Sequence, residues 1–215
     1  MQDSSNNLTK LFSGGSVQFD LLGSELAIAA QKSDFLSHPL GFFRMRIGTV
    51  NGGPSYVHVW LPDKFETQVP RLTIHAHSVT IASFVVVGEL EDLRYTWTDD
   101  RNGSQRLFSQ NRTSGGPPLL RTDRIGYTSL VSSSRFRSMD RYTVPYPEFH
   151  ETNVRSSDLT ATICNFVGAS NNDPLVVAPA DLERVEEYKV VALEKEEKSQ
   201  VMDQVLDAIG RIGQR

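Results

Sequence analysis

Two of the chain's five histidines, His75 and His77, stand two residues apart in the β-prone run RLTIHAHS at residues 71–78. Side chains alternate between faces along an extended strand. Both imidazoles therefore point the same way, with Cα atoms about 6.5–7 Å apart, and both can reach one ion. Two polar residues on the wet face of a strand would leave the same trace, so the pair alone leaves both readings open.

A third histidine changes the weighing. His150 follows a proline-set turn in Val144-Pro145-Tyr146-Pro147-Glu148-Phe149-His150. With it the sequence resembles the cupin superfamily. The first cupin motif runs His-x-His, three or four residues, Glu, six residues, Gly; the second runs Pro-x-Gly, two residues, His. His75-x-His77 with Gly88 eleven residues on fits the first spacing, and Pro145-x-Pro147-x-x-His150 fits the second except that Pro147 replaces the glycine. The likeness spans residues 42–166. Where cupins supply a glutamate ligand the chain has Ile81 or Ala82, and neither can bind a metal. The resemblance thus implies a three-histidine site of His75, His77 and His150, in which neutral imidazoles leave the full 2+ charge on the ion and its remaining positions open. This ligand set is similar to that of the thiol dioxygenases (cysteine dioxygenase-type cupins), whose iron(II) centre oxidises a small thiol to its sulfinate, and of some diketone-cleaving enzymes. The implied cofactor is a divalent metal, iron(II) first, with zinc, manganese or nickel as alternatives.

The resemblance extends upstream to Phe43-Arg44-Met45-Arg46-Ile47. In the thiol dioxygenases an arginine on the corresponding strand holds the substrate carboxylate, and Arg44 stands at the matching distance before Trp60. A guanidinium grips a carboxylate through two parallel hydrogen bonds. Arg46 shares the face of Arg44 by alternation, and an arginine paired with a surface acid would look the same. His58 reads either as a fourth ligand or acid–base group, or as a hydrogen-bonded structural histidine. His38, before a proline in a connection, reads as solvated, and Cys164 as a small core residue. Tyr95, Trp97, Tyr142 and Tyr146 read as cavity wall or core.

These residues need a scaffold. At 215 residues, 24.0 kDa and 39% hydrophobic content, the chain can bury one full core with helical additions at its ends. The net charge of -4 and the scattered arginines provide no basic field for nucleic acid. Residues 1–20 lack a secretory pattern and no apolar run approaches the about 20 residues that span a bilayer, so a cytoplasmic protein without membrane contact is expected. One cysteine excludes an intrachain disulfide and a cysteine-built zinc site.

Residues 16–36 carry apolar positions at mixed three- and four-residue spacing, which suits one or two short helices, and His38-Pro39 ends any helix there. From residue 41 short apolar runs alternate with turn chemistry. Strands are predicted at 42–47, 55–61, 71–77, 81–87, 90–97, 125–131, 141–144 and 159–166, an antiparallel sandwich or barrel. The polar stretch 98–120 reads as a mobile excursion and a candidate lid. Beyond Pro179, Asp181 can cap a helix carrying Leu182, Val185 and Val191, and Val201, Val205, Ile209 and Ile212 make a second stripe, packed on the barrel or used for dimerisation.

The expected fold is mainly β: a cupin-type antiparallel β-barrel (double-stranded β-helix or jelly roll) over residues 41–178, with helical segments at 1–40 and 179–215. The expected function is that of a metal-dependent cupin, a dioxygenase-like oxidoreductase acting on a small carboxylate-bearing thiol or diketone. A non-catalytic small-molecule binding or assembly module, or a zinc- or manganese-dependent lyase, isomerase or hydrolase, are the alternatives. A homodimer is the expected assembly.

Overall fold

The computed structural model describes residues 5–61, 70–110, 119–154, 159–168, 171–185 and 188–214. Two helices come first, α1 (Ser5–Ser13) and α2 (Phe19–Ala30). The strands that follow are β1 (Leu36–His38), β2 (Phe42–Val50), β3 (Gly53–Trp60), β4 (His75–Ala76), β5 (Thr80–Val87) and β6 (Glu89–Asp99). Next are β7 (Gln105–Gln110), β8 (Leu119–Arg137), β9 (Arg141–Val144), β10 (Phe149–Val154), β11 (Thr160–Val167) and β12 (Leu175–Pro179), before α3 (Lys195–Gly213). One sheet runs β1-β2-β3-β11-β5-β9, and the pairings of the other close on themselves in the order β10-β4-β12-β7-β8-β6. The expected class, a mainly β antiparallel barrel with helices at both ends, is the one that forms.

Alternation along the strands divides the two faces of the first sheet. Met45, Val57, Val59, Phe84, Val86 and Ile163 lie under the helices in one apolar cluster with Leu22, Leu26, Val205 and Ile209. The residues between them, Phe42, Arg44, Tyr56, His58 and Trp60, face the other way, away from the helices. α3 buries Val201, Met202, Val205, Ala208, Ile209 and Ile212 at three- and four-residue spacing. Each of its larger side chains contributes about 1.5–3 kcal/mol on burial.

Two turns show why particular residues are needed. Asn51 and Gly52, both at positive φ (50° and 80°), join β2 to β3 with Val50 paired to Gly53, the two-residue hairpin turn that Asn-Gly favours. Gly88, at φ 82°, turns β5 into β6, and a Cβ there would stand 2.8 Å from Cα of Thr160. The glycine of the first motif is thus required by backbone geometry and by a neighbouring strand.

The structure corrects several sequence expectations. Segment 181–194 is not helical where described, apart from the sheet-like bridge of Leu36 to Ala192. Ser37 donates to the Val191 carbonyl and Leu193 to that of Phe35, so the β-branched Val190-Val191 run lies along the edge strand β1 and not in a helix. The 98–120 excursion contains β7, which, like β6, runs antiparallel to β8: Asp99 and Gln105 both pair with Gly126. β7 is paired on both sides, to β8 and to β12, and buries Leu107 and Phe108, which removes the lid reading for 98–110; residues 111–118 lie outside those described. The strand expected at 71–77 shrinks to His75–Ala76, and the one expected at 125–131 grows to nineteen residues. α1, β1, β7, β10 and β12 add to the elements read from sequence.

Candidate metal centre

β4 and β10 are neighbours in the second sheet, with His75 directly opposite His150. Cross-strand partners share a face, and His77 shares the face of His75 by alternation. The three imidazoles therefore converge. Nε2 of His77 lies 3.1 Å from Nε2 of His75 and 3.0 Å from Nε2 of His150. His150 is buried, and the other two are half-buried.

The outer nitrogens decide the protonation of this cluster. Nδ1 of His75 lies 2.8 Å from the Thr73 carbonyl, which can only accept, so Nδ1 carries the proton and Nε2 is bare. Nδ1 of His150 lies 3.0 Å from Oδ1 of Asp92, a carboxylate that also receives Nε–H of Arg94. Here too the proton sits on Nδ1 and Nε2 is bare. Burial pushes all three histidines below their ordinary range; His77 is lowered further by its two partners and His150 by His75 and Arg94, whereas the Thr73 bond and the charges of Glu151 and Asp92 partly offset the shift at His75. Neutral rings leave at most one proton, on His77, to serve two Nε2–Nε2 contacts. At least one pair of lone pairs then meets with nothing between them, an unfavourable arrangement that a cation relieves. Nitrogens bound to one ion at about 2.1 Å each and at right angles stand about 3.0 Å apart, which is the separation found. The donor set fits a divalent metal, and His75, His77 and His150 could hold one.

Asp92 and Arg94 went unread in the sequence. Asp92 is 2% exposed, although it is a carboxylate; burial raises its pKa, and the charge and hydrogen bond of Arg94 oppose that shift. Arg94 continues to Oε2 of Glu148 at 2.7 Å and to the Thr143 carbonyl at 2.7 Å. A signal was present in Leu90-x-Asp92-x-Arg94, since alternation places an acid on the same face as a leucine that is 1% exposed.

Arg44 and His58 lie outside the triad. They oppose each other in the β2–β3 ladder, so both lie on the sheet face that points away from the helices. Arg44 is exposed, its guanidinium 5.7 Å from the centroid of the Tyr56 ring, and no ion pair involves it among the described residues. His58 packs on Phe42, with ring centroids 4.6 Å apart, and its Nε2 lies 3.4 Å from Sγ of Cys164. Burial first, then the charge of Arg44, pushes His58 down to about 3, while burial pushes the Cys164 thiol up. The fully buried Cys164 is a core residue, as expected.

His38 is not solvated as expected: β1 pairs it with Phe42, on which its ring stacks at 4.3 Å, and burial holds it well below the ordinary range. Arg46 bonds to Thr49, a local surface contact. Tyr95 and Trp97 belong to a cluster with Ala76 and Phe149, positions that alternate with the triad, so they lie on the face opposite the three histidines. Tyr142 stacks on Phe136, and Tyr146 lines a cleft of about 510 Å³ that reaches His77 and also touches Arg124, Pro147 and Asn172.

No family model matches the chain, and no curated protein matches it. Solved structures do. A protein of unknown function with a cupin-like fold from Ralstonia eutropha is 13% identical over 84% of this chain and 82% of its own, with a TM-score of 0.35. A cupin-like protein from Thermotoga maritima is 13% identical over 78% of this chain and 87% of its own, with a TM-score of 0.27. A protein of unknown function from Vibrio parahaemolyticus is 16% identical over 58% of this chain and 86% of its own, with a TM-score of 0.31. The fold and site described above rest on the pairings and distances of this chain. No helix among the described residues is long and apolar enough to cross a membrane.

Proposed function

We propose that the chain is a metal-dependent cupin in which His75, His77 and His150 hold iron(II), and that it acts as a dioxygenase on a small carboxylate-bearing thiol or diketone. The observation that carries this reading is the convergence of three neutral imidazoles on Nε2 with protons for at most one of the two contacts. The ion would supply Lewis acidity and oxygen chemistry. Thr73 and Asp92 fix two of the three rings by their Nδ1–H bonds. Arg44, exposed and without an acidic partner among the described residues, is the group available to orient a carboxylate, with the Tyr56 face beneath it. His58, at about 3, is too weak a base to take a proton from a neutral substrate, so its part is that of a wall and a hydrogen-bonding group.

The test is metal analysis of protein purified without added ions, followed by anaerobic iron reconstitution and oxygen uptake measured over small thiols, diketones and hydroxy acids. Stoichiometric metal that disappears in His75→Ala, with uptake on a carboxylate-bearing member of the panel, supports the proposal. Wild-type protein that neither carries nor takes up metal overturns it in favour of a binding or assembly module. Metal without oxygen uptake on any compound overturns the dioxygenase part.

A further inference from the structure

Among the described residues, His150 is the one ring of the three whose Nδ1 is bound to another side chain. His75 is held by a backbone carbonyl, that of Thr73. His150 is held by Asp92, two residues along β6 from its cross-strand neighbour: Arg94 opposes His150, and Asp92 opposes Thr152. We infer that Asp92, anchored by Arg94, is the positioning residue of the centre: it fixes His150 in the Nδ1–H tautomer and so turns the Nε2 lone pair toward His75 and His77.

This inference rests on the metal reading for its purpose but on geometry for its substance. Asp92 is 2% exposed, and a carboxylate so deeply buried is costly unless N–H donors surround it. Two do. Nε–H of Arg94 and Nδ1–H of His150 both donate to it, one to each oxygen. Arg94 is itself held on its far side by Glu148 and the Thr143 carbonyl, so the carboxylate cannot follow a rotating imidazole. Which ring nitrogen of a histidine is free for a ligand is set by the hydrogen bond at the other. With a good acceptor lost at Nδ1, the proton is free to move to Nε2, where it would point into the space between the three rings. A merely structural Asp92–Arg94 pair, tying β6 to β9 and β10, predicts loss of stability on substitution and no change of tautomer.

The experiment reads the tautomer directly. In metal-free wild-type protein at neutral pH, two-bond ¹H–¹⁵N correlations of the histidine rings should show His150 protonated at Nδ1 and bare at Nε2. In Asp92→Asn, whose amide has the same shape but can donate, the Nε2–H form should appear. Affinity for iron(II) or cobalt(II), measured by chelator competition, should fall by about 10–100-fold while unfolding stays cooperative. Nε2-protonated His150 in the wild type, or a folded Asp92→Asn with unchanged affinity, overturns the inference. If Asp92→Asn does not fold, the wild-type tautomer still decides. A wild type that binds neither ion sinks the metal reading instead, and the ring spectrum judges the tautomer separately.

Discussion

His150 lies directly opposite His75 in the β4–β10 ladder, although the two are far apart in the chain. A cross-strand pair has its separation and face set by backbone hydrogen bonds, so the centre is built on strands and needs no loop to close. His77 alone stands just beyond the end of β4, where it lines the cleft.

Metal should therefore act as a stability ligand. At free metal about 100 times its dissociation constant, the wild type should gain about 2.7 kcal/mol, seen as a rise in Tm that chelator reverses. His75→Ala and His150→Ala should unfold at a Tm insensitive to metal. A chelator-indifferent wild type would remove the thermodynamic basis of the site.

Arg44 should act on substrate and not on metal. Charge-assisted hydrogen bonds contribute about 1.5–3 kcal/mol, so Arg44→Met should raise KM for a carboxylate substrate by about 10–100-fold at unchanged metal content. Because Arg44 is exposed, folding should be unaffected. Equal loss with a substrate lacking the carboxylate would argue against this role.

What could be read from the sequence was local. Alternation put His75 and His77 on one face, a reading that depends only on neighbours in the chain. The partner of His150 is another matter, since Asp92 lies fifty-eight residues away. The same holds for residues 181–194, whose apolar positions suit a helix until β1 offers them an edge. β7 was hidden for a different reason: Gln105, Arg106, Ser109 and Gln110 give its six residues the content of a loop around the buried Leu107 and Phe108. His38 looked solvated because nothing before the fold places Phe42 against it.

His58 makes acid stability testable. In the unfolded chain it takes up a proton as pH falls below about 6.5, whereas the folded protein resists doing so until about 3. The unfolded state therefore binds the extra proton across this window. The stability associated with neutral His58 is complete above 6.5 and is lost progressively as pH drops toward 3. Urea unfolding of metal-free protein between pH 7 and 4.5 should show His58→Phe losing stability less steeply than the wild type, by up to about 1.4 kcal/mol per pH unit. Parallel slopes would mean that His58 is protonated in the fold.

Gly88 separates the motif's backbone requirement from its chemistry. Gly88→Ala places a methyl group 2.8 Å from Cα of Thr160, a strand backbone atom that cannot swing aside, on a residue already at φ 82°. Left-handed strain alone costs about 1–3 kcal/mol, and the overlap adds to it. The expected result is a large drop in the urea midpoint with the folded fraction still binding metal at wild-type affinity, because the turn touches none of the three histidines. Unchanged stability would show that β5 and β6 can reach their registers through a different turn, and weakened metal binding at full stability would show that the glycine serves the site itself.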